Sequence, residues 1–139
     1  NFMLRLTEGY IMDNNMEDAL GTVDEVLDII NTSGEGIYKA EAMRIRGEIL
    51  LRMAGDDADE QIKEEVAGLF ESALSVAEQQ QAKLWRLRAA ASLTRLRQSQ
   101  GRANEVVDIL ASAYSDFTEG FTIADMVEAK MLLDEISNS

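Results

Sequence analysis

The amino-acid sequence predicts an all-α protein, an α-solenoid of helix hairpins closed by a C-terminal capping helix. Three observations lead to this prediction: the 139 residues contain no proline, one apolar pattern recurs three times, and glycines stand where helices should end. Proline disrupts helix interiors, so its absence favours long, uninterrupted helices. A chain of this length is also the usual size of one domain, and we expect residues 1–139 to form a single domain.

The recurring pattern is a stripe of apolar residues spaced four and then three positions apart, which is typical of one face of a helix. Its three copies are Ala19-Val23-Val26, Val66-Phe70-Ala73 and Val106-Leu110-Ala113. Each stripe follows a segment with a small central residue (Thr7, Gly47 or Thr94), which allows a neighbouring helix to approach closely. A helix–turn–helix unit repeated in this way buries its stripe against its neighbours.

The predicted hairpins cover about residues 1–34, 38–80 and 83–118, and the capping helix covers about 122–137. Within them, we predict helices over about 1–12, 16–31, 38–54, 60–80, 83–99 and 103–117. Asn15 is a good N-cap for the second helix. Gly55 and Gly101 are placed to end the third and fifth helices.

The two ends of the chain predict different packing. Tyr114, Phe117 and Phe121 surround Gly120 and should pack the capping helix against the third hairpin. Phe2, Met3 and Leu6 have no such cap. We expect them to pack on an upstream repeat, because the chain starts Asn1-Phe2-Met3 and is expected to be a piece of a longer protein.

Composition argues against catalysis. The chain has no His and no Cys, so it has no imidazole base and no thiolate nucleophile. A net charge of −13 disfavours nucleic acid and anionic membrane surfaces as partners. No apolar run approaches the roughly 18 residues of a membrane span. The acidic segment 56–60 lacks the glycine and the closing acid of a calcium loop. We therefore predict a non-enzymatic binding protein without metal or cofactor.

The repeated pattern resembles the tetratricopeptide repeat (TPR), although only Phe70 is aromatic in its stripe and the copies lie 40 or 47 residues apart. A narrower resemblance covers residues 84–136, with LRAAASLTRL, QGR, FTEGF and EAKMLLDEI, and the upstream EAMRIRGEILL. These segments are similar to the C-terminal end of large bacterial regulators with a cyclase or DNA-binding domain, a predicted ATPase and a TPR-like array. The resemblance implies a right-handed solenoid in a cytoplasmic signalling protein, whose array relays or restrains upstream activity.

Charge is segregated along the chain. Residues 79–104 contain no Asp or Glu but six basic residues, Lys83, Arg86, Arg88, Arg95, Arg97 and Arg102. In TPR-like arrays the first helix of each hairpin lines the concave face, which is where extended peptides bind. One interpretation is therefore a basic groove for an acidic protein or peptide, or for upstream domains of the same chain, formed by Arg44, Arg52, Arg88, Ser92 and Arg95. Arg88→Glu with Arg95→Glu should then abolish binding of the acidic partner and leave helicity and melting temperature nearly unchanged.

The other interpretation is internal neutralisation, and the sequence favours it. Arg44–Glu48 and Glu48–Arg52 have i,i+4 spacing on one helix. Arg88 and Arg95 can pair with Glu41 and Glu48 of the neighbouring helix. An alternative function also stays open, in which the uncapped N-terminal helix pair drives self-association into a homo-oligomer.

Overall fold

The computed structural model describes residues 1–34, 36–116 and 123–138, and these residues form helices and short connections with no β-strand. The all-α prediction is therefore confirmed. The helices are α1 (Phe2–Met12), α2 (Met16–Ser33), α3 (Lys39–Ala54), α4 (Glu60–Gln79), α5 (Lys83–Ser99), α6 (Val107–Ser115) and α7 (Ile123–Ser137). Short 3₁₀ turns, Gly55–Asp57 and Ala103–Glu105, precede α4 and α6.

Local signals determine where several helices begin and end. The side chain of Asn15 accepts a hydrogen bond from the Asp18 N–H at the start of α2. Gly101 adopts a φ of 71°, which favours glycine over residues with a Cβ. The helix predicted from residue 103 starts as the 3₁₀ turn Ala103–Glu105 and becomes α-helical only at Val107. Arg102 and Val106, with φ of −121° and −128°, flank this turn and lie outside the helical region.

The three predicted stripes lie in the core. Ala19, Val23 and Val26 pack with α1 and α3, Val66 and Phe70 pack with α5, and Leu110 and Ala113 pack with α5 and α7. Each helix packs against the next one along the chain, and α5 additionally contacts α3 and α7. The fifth helix is therefore the one around which the C-terminal half is built.

The small residues before each stripe are buried, as the pattern requires. A Cβ added at Gly47 would lie 2.6 Å from the Phe70 ring, so α3 and α4 approach closely there. The hydroxyls of Thr7 and Thr94 donate to the carbonyl oxygens of Met3 and Ala90, which satisfies them inside the core.

Aromatic residues join some of the hairpins. Trp85 is half-buried against Tyr38, and its indole N–H donates to the Ile37 carbonyl oxygen at 3.3 Å. Tyr114 packs on the C-terminal core cluster. The rest of the predicted aromatic corner, Phe117 and Phe121, lies outside the described residues.

Candidate functional site

A groove runs across α1, α3, α5 and α7, the first helix of each predicted hairpin and the capping helix. We call it the arginine groove, and its volume is about 360 Å³. Its apolar residues are Ile11, Met12, Leu87 and Ala91, and its charged residues are Glu8, Arg44, Arg88, Arg95, Asp125 and Glu128. A second depression shares Arg95 and continues between α3 and α5, past Glu48 and Ser92.

Arg88 is held from two sides. Its Nη1 donates to Glu41 Oε2 at 2.9 Å, while Nε and Nη2 donate to both carboxylate oxygens of Asp125 at 3.1 Å. Glu41 is only 3% exposed and also pairs with Arg44. Burial by itself would lower the pKa of Arg88, but the hydrogen bonds to Asp125 and Glu41 outweigh it and raise the pKa. Arg88 therefore keeps its positive charge, and its hydrogen bonds to Glu41 and Asp125 hold the guanidinium in place.

Arg95 repeats this arrangement two turns further along α5. Its Nη2 donates to Glu48 Oε1 at 3.1 Å, and its guanidinium also pairs with Glu128 of α7. The buried hydroxyl of Ser92 accepts from Arg95 at 3.3 Å and from Arg44 at 3.4 Å. Arg88 and Arg95 thus each join one carboxylate of α3 to one carboxylate of α7.

The structure brings together four of the five residues predicted for the groove: Arg44, Arg88, Ser92 and Arg95. Arg52 is separate, because it lies exposed near the C-terminal end of α3 and does not line the groove. The expected i,i+4 pairs on α3 are wrong, since Arg44 pairs with Glu41 and Glu48 pairs with Arg95. The pairing of Arg88 with Glu41 and of Arg95 with Glu48 is the one anticipated for internal neutralisation.

The other arginines of residues 79–104 are paired as well. Arg86 pairs with Glu78 and Asp116, Arg97 with Glu64 and Glu71, and Arg102 with Glu64 and Glu105. Arg97 is only 8% exposed, and its two carboxylate partners account for its burial. Hydrogen bonds from Arg97 and Arg102 lower the pKa of Glu64.

Sequence reasoning missed the contributions of α1 and α7. Glu8 and Met12 come from α1, and Asp125 and Glu128 come from the start of α7, 37 and 33 residues after the arginines that they meet (Arg88 and Arg95). The available signal was the i,i+3 spacing of Asp125 and Glu128, which places both carboxylates on one helix face. Where that face points depends on how α7 packs, which spacing alone does not determine.

The arrangement suits recognition of carboxylates and of apolar side chains. A guanidinium presents a planar fork to a carboxylate, and apolar residues next to it offer surface for an adjoining side chain. Within the part of the chain that the structure describes, no cluster of three or more acidic side chains is placed to hold a metal ion.

Comparison with known proteins does not assign a family: no protein-family model, no curated protein and no solved structure matches this chain. Of the helices that the structure describes, none has both the length and the apolar character needed to cross a bilayer.

Proposed function

We propose that this chain is a non-catalytic scaffold for protein–protein or interdomain interaction, built as a right-handed TPR-like solenoid. The succession of helix contacts, together with the contacts of α5 with α3 and α7, supports stacked hairpins that share one face. In this proposal it is the C-terminal part of a larger cytoplasmic bacterial regulator, and any cyclase or ATPase activity belongs to other segments. Its partner is a protein or peptide, or an upstream domain of the same chain.

The observation that carries the proposal is the arginine groove itself. It combines a fixed set of charges with an apolar floor, and Met12 at its edge is 86% exposed. The second depression continues the groove past Arg95, so an extended segment has a continuous surface to follow. Charged side chains fixed beside apolar surface give both orientation and affinity to a bound segment.

The test is selection of peptides from a random displayed library, followed by affinity measurement by fluorescence anisotropy. Met12→Glu places a charge on the apolar edge of the groove, and Met53→Glu makes the same change at an exposed methionine outside it. We expect the selected peptides to lose about tenfold or more in affinity for Met12→Glu and to retain affinity for Met53→Glu. Equal binding by both variants, or no selected peptide, would contradict the proposal.

Self-association is the second candidate function, and exposed apolar residues of the first hairpin favour it. Phe2 is 78% exposed and Ile29 is 53% exposed, whereas Met3 packs inward. Helices α1 and α2 with their connection carry seven carboxylates and the single cation Arg5, so two such hairpins repel each other. Association through them should therefore strengthen with salt. Sedimentation as a monomer at all concentrations, in both low and high salt, would exclude it.

A further inference from the structure

We propose that Asp125 and Glu128 of α7 occupy the carboxylate sites of the arginine groove, and that an acidic partner segment binds by replacing them. This inference rests on the proposed function and names the chemistry of its partner. The partner is a protein segment with two carboxylates and adjoining apolar side chains.

The guanidiniums of Arg88 and Arg95 are each divided between carboxylates of α3 and α7. Nη1 of Arg88 is anchored on buried Glu41, and its other edge, Nε and Nη2, is taken by both oxygens of Asp125. Arg95 is anchored on Glu48 through Nη2, and its Nη1 pairs with Glu128. The α3 carboxylates hold the two forks in place, so the edges facing α7 remain oriented for any carboxylate that reaches them.

The net charge of the groove depends on α7. Arg44, Arg88 and Arg95 with Glu41 and Glu48 give the groove side chains of α3 and α5 one net positive charge, which Glu8 of α1 offsets. The two carboxylates of α7 then leave the groove with two net negative charges. The groove therefore repels an acidic segment while these two carboxylates are in place, and their displacement removes that repulsion.

Exchange of the α7 carboxylates for those of a partner requires little rearrangement. The side chain of Glu128 is 48% exposed and that of Asp125 is 15% exposed, so Glu128 can rotate into solvent first. Ala129, Leu132 and Ile136 anchor α7 in the core, and all three follow the two carboxylates in sequence. Release of Asp125 and Glu128 leaves this anchor in place.

The experiment uses a short fluorescein-labelled peptide of alternating leucine and glutamate, with a leucine and lysine peptide as the charge-reversed probe. The test variant is Asp125→Asn with Glu128→Gln. The control is Asp134→Asn with Glu135→Gln, which removes the same charge from the same helix outside the groove. Because a tethered competitor acts at an effective concentration of about millimolar, its removal should strengthen binding of the acidic peptide by about tenfold or more. The control should change affinity by less than about twofold, and the lysine peptide should gain nothing.

Glu128→Gln alone changes a half-exposed side chain, so we expect this variant to fold like wild type. It should give part of the gain in affinity for the acidic peptide. Equal affinities for wild type and the test variant, or equal gains in test and control variants, would overturn the exchange. Library peptides could lose affinity for Met12→Glu while the acidic peptide gains no affinity for Asp125→Asn with Glu128→Gln. In that case the scaffold function stands and the exchange is wrong. If no peptide binds any variant, both are wrong.

Discussion

Helix α5 and the N-terminal hairpin of α1 and α2 are stabilised in different ways. Five arginines of residues 79–104 reach carboxylates on α3, α4, α7 and the segments flanking α6. The N-terminal hairpin packs through apolar residues, and its ion pair to the rest of the described chain joins Asp24 to Arg46 of α3. Charge pairs thus connect most of the helices around α5, whereas the first hairpin is held mainly by apolar contact.

This contrast predicts which substitutions should reduce the free energy of unfolding. Partly buried charge pairs add little net stability, yet removal of one partner leaves the other charge buried without compensation. Around α5, reversal of a partly buried charge that belongs to an ion pair should therefore be severe. In the first hairpin, exposed apolar residues should be replaceable at little cost to folding.

Arg88→Glu should have the largest effect. The new carboxylate would face buried Glu41 and Asp125, so we expect the free energy of unfolding to fall by about 3 kcal/mol. This replaces the expectation from sequence alone, in which Arg88→Glu with Arg95→Glu leaves the melting temperature nearly unchanged. Urea denaturation measures the effect. Lys83→Glu makes the same charge change at an exposed position of α5 and should stay within about 0.5 kcal/mol. A loss below about 1 kcal/mol for Arg88→Glu would show that the network is not needed for folding.

Gly47→Ala should have the next largest effect, because its Cβ would overlap the Phe70 ring between α3 and α4. Overpacking of this kind costs about 1–3 kcal/mol, against a gain in helix propensity of about 1 kcal/mol, so we expect a net loss of about 1 kcal/mol. In the first hairpin, Gly21 has no atom within 4 Å of an added Cβ. Gly21→Ala should raise the melting temperature, and a parallel rise for Gly47→Ala would contradict the close approach.

The apolar stripes of the helices could be predicted from the sequence, whereas the orientation of α7 could not. The stripes containing Val23, Phe70 and Leu110 were predictable because helix periodicity is a local property, and all three residues are buried. The pairing of Arg88 with Glu41 followed once neighbouring helices were assumed. The partners Asp125 and Glu128 did not follow, since their position depends on the rotation of α7 against α5.

Acid titration should affect the α5 region through Glu64. Its pKa is lowered by hydrogen bonds from Arg97 and Arg102, so its contribution to stability is complete above the ordinary carboxyl pKa of 4.5. That contribution is lost as the pH falls through the lowered pKa of the folded state. Glu64→Gln should therefore flatten the decline of unfolding free energy below about pH 4.5. Glu25→Gln, which removes an exposed carboxylate of α2, is the charge-matched control. An unchanged slope for Glu64→Gln would show that the pairs with Arg97 and Arg102 do not stabilise the fold.

The smallest effect on stability should come from Phe2→Ser with Ile29→Ser in the first hairpin. Both side chains are largely exposed, so we expect each substitution to change the free energy of unfolding by no more than about 0.5 kcal/mol. The same pair of changes distinguishes a free surface from an interface. If sedimentation shows that wild type associates in high salt and the double variant does not, the apolar face of α1 and α2 is the contact between copies. If the double variant unfolds at much lower urea than wild type, these residues belong to the core, and the contrast between the two regions fails at its N-terminal side.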